Sequence, residues 1–71
     1  MEKIHYETVS YDMSERFKSP MSIIFEIDIW KDDSFFTFCI ETQTVSVPIE
    51  RFEEHNITDS TEMIRFVLKH I

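Results

Sequence analysis

The tightest constraint on this chain is a period-two alternation of apolar residues near its middle. Met21, Ile23, Phe25, Ile27 and Ile29 take every second position, with Ser22, Ile24, Glu26, Asp28 and Trp30 between them. Successive side chains of a strand point to opposite faces, so this pattern predicts a half-buried strand. A second alternation, Phe36, Phe38 and Ile40, follows Lys31-Asp32-Asp33-Ser34, and the two together read as a hairpin. With Asp32-Asp33 as a two-residue turn, Ile29 faces Phe36, Ile27 faces Phe38 and Phe25 faces Ile40, so turn and apolar pattern agree on one register. The same register puts Trp30 beside Phe35, Asp28 beside Thr37, Glu26 beside Cys39 and Ile24 beside Glu41 on the opposite face. A longer turn is the alternative, because Asp tolerates positive φ without favouring it.

The flanking segments complete an α+β pattern. Ile4 to Met13 is rich in aromatic and β-branched residues, and its apolar phase shifts between Tyr6 and Val9, which predicts a strand with a bulge. Ser14 to Pro20 reads as a loop, with Pro20 favouring extended backbone before it. Thr44 to Val47 alternates again, either continuing the preceding strand after a bend at Thr42-Gln43 or forming a fourth, and Pro48 ends it. From Ile49 the period lengthens: Ile49 and Phe52 followed by Glu53, Glu54, His55 and Asn56 suit a two-turn helix that starts at Pro48 and stops at Asn56. Asp59-Ser60-Thr61-Glu62 has the form of a capping box, with Asp where Ser or Thr is usual. Ile64, Val67, Leu68 and Ile71 then form one helical stripe. The expectation is an antiparallel sheet of three to four strands with a C-terminal helix packed on one face, residues 1–71 forming a single acidic domain.

A domain of 71 residues buries only about 60% of the surface its unfolded chain exposes, so small domains often rely on a staple. The lone Cys39 excludes an internal disulfide, and His5, His55 and His70 lack the short spacings of a zinc site. A homodimer, or a core dense in aromatic rings, remains. The first residues lack the basic region and apolar run of a secretory signal, and no apolar stretch approaches the ~20 residues that span a bilayer. An unpaired thiol suits a reducing cytoplasm.

Fourteen Asp and Glu stand against seven Lys and Arg, for a net charge of −7, and the chain has no glycine. Glycine-rich phosphate loops are thereby excluded. The charge opposes direct contact with nucleic acid or anionic membranes and favours a basic partner. A catalytic carboxylate pair needs a cleft that a domain this small has little room to build, so the carboxylates read as solvated surface groups. Cys39 has no neighbouring cation or helix N-terminus to activate it, and Asp32-Asp33 falls short of a calcium site's oxygen count. No catalytic residue, metal or cofactor is expected.

What remains is a binding surface. Trp30 and Phe35, side by side at the hairpin end, would supply an aromatic anchor. Glu26 and Asp28, two apart on a strand face, stand about 6.7 Å from each other. Asp32, Asp33 and Glu41 extend the charge around the hairpin, and Glu50, Glu53, Glu54, Asp59 and Glu62 carry it along the helical side. Closely spaced carboxylates on stiff backbone approach the charge pattern of nucleic-acid phosphates. The plainer reading is that the charge serves solubility.

In length, acidity and strand-rich order, the whole chain resembles the small acidic bacteriophage proteins that disable a host factor, the DNA mimics among them. It is similar in size and charge to phage inhibitors of the bacterial nucleoid protein HU, without a motif that transfers residue by residue. The resemblance implies a non-enzymatic inhibitor, working in the host bacterial cytoplasm, that occupies the DNA-contacting surface of a basic, dimeric nucleoid protein. Anti-restriction and anti-CRISPR proteins are similar in kind. The alternative is an interaction or adaptor subunit that uses an exposed aromatic sheet face, with acidity serving solubility.

Overall fold

A computed structural model describes residues 2–70. In chain order the elements are β1 (Ile4–Asp12), α1 (Ser14–Phe17), β2 (Ile24–Lys31), β3 (Phe35–Ile40), β4 (Gln43–Pro48), α2 (Ile49–Glu54) and α3 (Ser60–Lys69). The strands form one antiparallel sheet in the order β1-β2-β3-β4. This is the α+β meander that the alternating segments predict, with Thr44–Val47 inside a fourth strand.

Each strand edge is set by local chemistry. In β1, His5 pairs with Trp30 and Glu7 with Ile29, which leaves Tyr6 as the extra residue of a bulge. The bulge restores the apolar phase, so Val9 and Tyr11 face the helices and Thr8 and Ser10 face away. Ser14–Phe17 is a helical turn rather than a plain loop. The Asp12 carboxylate accepts the Ser14 N–H at 2.9 Å, and Lys18 closes the turn at φ 54°. Four helical residues give no readable periodicity, so the turn leaves no trace in the pattern. At the other end of this connection Met21 is 74% exposed and β2 begins only at Ile24. The period-two pattern therefore runs past the strand that it signals.

The β2–β3 hairpin corrects the expected register. Ile29 pairs with Phe38, Trp30 with Thr37, Asp28 with Cys39 and Lys31 with Phe36. Asp33-Ser34 form the turn: the Asp32 N–H donates to the Phe35 carbonyl at 3.0 Å, while Asp32 Oδ1 accepts the Ser34 and Phe35 N–H groups at 2.8 and 2.7 Å. The register has slid by two residues. Because the side-chain period is two, every residue keeps its face while its partner changes.

The core lies between one sheet face and the helices α2 and α3. Ile27, Ile29, Phe36, Phe38 and Ile40 from the sheet meet Phe52, Met63, Ile64 and Val67, all buried. The Phe52 ring centres the layer, 5.7 Å from Phe36, 5.9 Å from Phe38 and 5.5 Å from Phe66, in edge-to-face contacts. Such burial is worth about 1.5–3 kcal/mol per large apolar side chain. Helix α2 starts after Pro48, and Asn56 at φ 55° follows its end. Helix α3 starts as the box predicts, with the Asp59 carboxylate accepting the Glu62 N–H at 3.2 Å. Its stripe buries Ile64 and Val67 and half-buries Leu68; Ile71 lies outside the described residues. No helix among the described residues is long and apolar enough to cross a membrane.

Candidate functional site

Packing both longer helices on one side leaves the other sheet face uncovered. Alternation places His5, Thr8, Ser10 and Asp12 of β1 on it, with Ile24, Glu26, Asp28 and Trp30 of β2. Phe35, Thr37 and Cys39 of β3 and Thr44, Ser46 and Pro48 of β4 complete it. No Lys or Arg occupies an outward strand position among the described residues. The one strand cation, Lys31, lies on the opposite side, 5.4 Å from the Phe36 ring centre and 5.9 Å from that of Tyr6. The remaining Lys and Arg lie in helices, loops or the segment before β1.

The centre of this face is ordered by side chains rather than covered by another layer. Trp30 stands between His5, whose ring meets it edge-on at 5.0 Å, and Thr37, its partner across β2–β3. Thr37 is only 3% exposed, and its hydroxyl lies 2.9 Å from that of Ser46. Next along β2, Asp28 accepts the Thr8 hydroxyl proton at 2.6 Å, and His5 Nε2 lies 3.0 Å from Thr8 Oγ1 and 3.6 Å from Asp28. Because Thr8 donates to Asp28, its oxygen is not handed to His5 as a nucleophile. The trio holds Asp28 in place beside an imidazole. Glu26 is exposed beside it.

The expected residues separate into groups. Trp30 and Phe35 are not paired: Phe35 lies opposite Pro48, and Trp30 opposite Thr37. Phe35 instead joins Asp33, Glu50 and Glu53 around an open concavity at the hairpin end. The Ile49 N–H bonds the Ser34 carbonyl there at 2.9 Å, which ties the start of α2 to the turn. Glu54, a helical turn beyond Glu50, is exposed outside that concavity. Glu41 lies at the far end of β3, about 20 Å along the strand from Phe35, in a hollow shared with Arg16. Asp32 spends its carboxylate on the turn.

Compared with known proteins, the chain matches no family model, no curated protein and no solved structure.

Two carboxylates are held more acidic than usual by hydrogen bonds to the charged form. Asp12 lies below its ordinary 3.8, chiefly because it accepts the Ser14 N–H and then that of Ile23. Asp32 lies below 3.8 through the Ser34 and Phe35 N–H groups. On the helical side, the guanidinium of Arg65 is held more firmly protonated by the Tyr11 hydroxyl and by Glu62 at 2.7 Å. Glu62 thus has a guanidinium against it, whereas Glu26 and Asp28 lie on strand positions without an outward Lys or Arg among the described residues. Sequence reasoning missed His5 and Thr8. The phase shift at Tyr6 was their signal, since only a bulge puts both on the face of Asp28.

Proposed function

We propose that this protein acts by binding, as an inhibitor that presents the uncovered sheet face to a basic protein and competes there with DNA. One observation carries the reading: Glu26 and Asp28 stand beside a half-buried Trp30 on a face whose outward strand positions, among the described residues, hold no Lys or Arg. The face joins negative charge to an aromatic surface, a combination suited to a cationic groove with an apolar floor. Bacterial nucleoid proteins of the HU kind fit that description of a partner. Stiffness helps, because strand-borne carboxylates lose little freedom on binding.

The charge spacing bears on the kind of competition. Duplex DNA offers one charge per ~1.7 Å of axis, whereas outward carboxylates on one strand recur at about 6.7 Å at their closest. The face is thus a sparser anion than DNA, and Trp30 must supply part of the affinity. Capture from bacterial lysate on immobilised protein tests this reading. DNA-binding proteins retained at low salt and released by added duplex DNA are expected. Retention unaffected by both salt and DNA would overturn it.

A further inference from the structure

We infer that His5 makes the acidic sheet face proton-sensitive: the neutral imidazole leaves the charge of Asp28 free for a cationic partner, and the imidazolium offsets it. This inference rests on the reading of the face as a surface for a basic protein. The Tyr6 bulge creates the arrangement, since it puts His5 and Thr8 on one face three residues apart. Histidine is the side chain whose charge ordinarily changes between about pH 5 and 8. Two hydrogen bonds set what that change does here. The Thr8 hydroxyl gives its proton to Asp28 at 2.6 Å, so the 3.0 Å contact between Thr8 Oγ1 and His5 Nε2 requires an N–H on that nitrogen. A second proton then goes to Nδ1. Its uptake leaves the trio intact and makes a cation of the ring whose Nε2 lies 3.6 Å from Asp28 Oδ1.

The charges around the ring leave Asp28 as its partner. β1 is an edge strand, so only β2 pairs with it, and β2 offers Asp28, with Glu26 one strand repeat further along the same face. Across β2, the Cys39 thiol stands opposite Asp28. On β1 itself, Asp12 lies at the far end, and Glu7 turns to the other side, where it accepts the Ser60 hydroxyl proton at 2.5 Å. Helix α3 packs on that other side too, where Arg65 meets Tyr11, and Lys31 stands there over the Tyr6 and Phe36 rings. Glu2 and Lys3 precede the strand, and the Lys3 charge acts on Asp32. The His5 and Asp28 side chains are 44% and 51% exposed, so solvent screens the pair and the effect on affinity is a few-fold.

Trp30, the chain's single tryptophan, reads the ring without a partner, because its indole meets His5 at 5.0 Å and an imidazolium in contact quenches indole emission. Emission of the parent should fall as pH drops from about 8 to about 5.5, and His5→Gln, which keeps a donor without the titration, should lose that change. His55 and His70 flank Phe66 in the helical layer, and their titration is common to both proteins. The binding arm is displacement of fluorescent duplex DNA from a purified HU-type nucleoid protein at the same two pH values. Displacement by the parent should weaken about twofold to fivefold at the lower pH relative to His5→Gln, which carries any titration of the nucleoid protein itself. His5→Lys, charged throughout, should displace at the higher pH as weakly as the parent does at the lower. Circular dichroism checks that each variant folds. Emission indifferent to His5, or displacement that follows pH alike in parent and His5→Gln, would overturn the proton control and leave the binding reading standing. No displacement at either pH would overturn the binding reading and this proposal with it.

Discussion

Three of the described residues sit at positive φ in a chain that has no glycine to put there: Lys18 at 54°, Glu41 at 54° and Asn56 at 55°. Left-handed backbone costs a residue with a Cβ about 1–2 kcal/mol, and Asn least among them. Glu41→Gly and Lys18→Gly are therefore expected to stabilise the fold by about 0.5–1 kcal/mol each, after the larger unfolded-state entropy of Gly is offset. Urea midpoints check this, and a loss of stability in both would contradict the turn assignment. Asp12 and Asp32 give the residue scale a pH signature. Their folded pKa values lie below the unfolded 3.8, so their contribution is present above 3.8 and is lost as pH falls through the lower folded values. Urea midpoints should therefore drop below pH 3.8, and by less in Asp32→Asn, which keeps an acceptor without the titration. The dual demand on Asp32 was not legible in the sequence. An Asp before a turn reads equally as surface charge or as a turn acceptor, and only the hairpin register tells which.

At the scale of elements, most of the fold was legible because apolar periodicity reports burial directly. The alternations of β2 and β3, the phase shift of β1 and the stripe of α3 each mark a face that the helix–sheet core covers. Register was not legible, since pairings two residues apart bury the same side chains; local bonding of Asp32 to Ser34 and Phe35 breaks that degeneracy. Pairing Trp30 with Phe35 failed for the same reason. Two substitutions separate cap from core. Asp59→Ala removes the acceptor of the Glu62 N–H and should cost about 1 kcal/mol. Ile64→Ala empties a fully buried position and should cost about 2–5 kcal/mol. Denaturant unfolding by circular dichroism distinguishes them, and a small loss for Ile64→Ala would mean that α3 does not cover the sheet.

For the molecule as a whole, the cations are concentrated away from the outward strand positions. Helices carry carboxylates mixed with Arg16, Arg51, Arg65 and Lys69, while the outward strand positions among the described residues carry Asp12, Glu26 and Asp28 with no Lys or Arg, and His5 lies beside Asp28. A net charge of −7 could not reveal this separation, because composition is blind to which side of a sheet a cation takes. Association through such a face is steered by long-range attraction and weakens as salt screens it. The most direct measurement is displacement of a fluorescent DNA duplex from a purified HU-type nucleoid protein, comparing the parent with a Glu26→Lys, Asp28→Lys variant. Both positions are exposed or half-exposed, so the variant should keep its circular dichroism spectrum. Displacement by the parent that falls steeply between low and physiological salt, and is lost in the variant, is the predicted result. Equal displacement by both proteins, or none by the parent at low salt, would contradict the assignment of the sheet face as the binding surface.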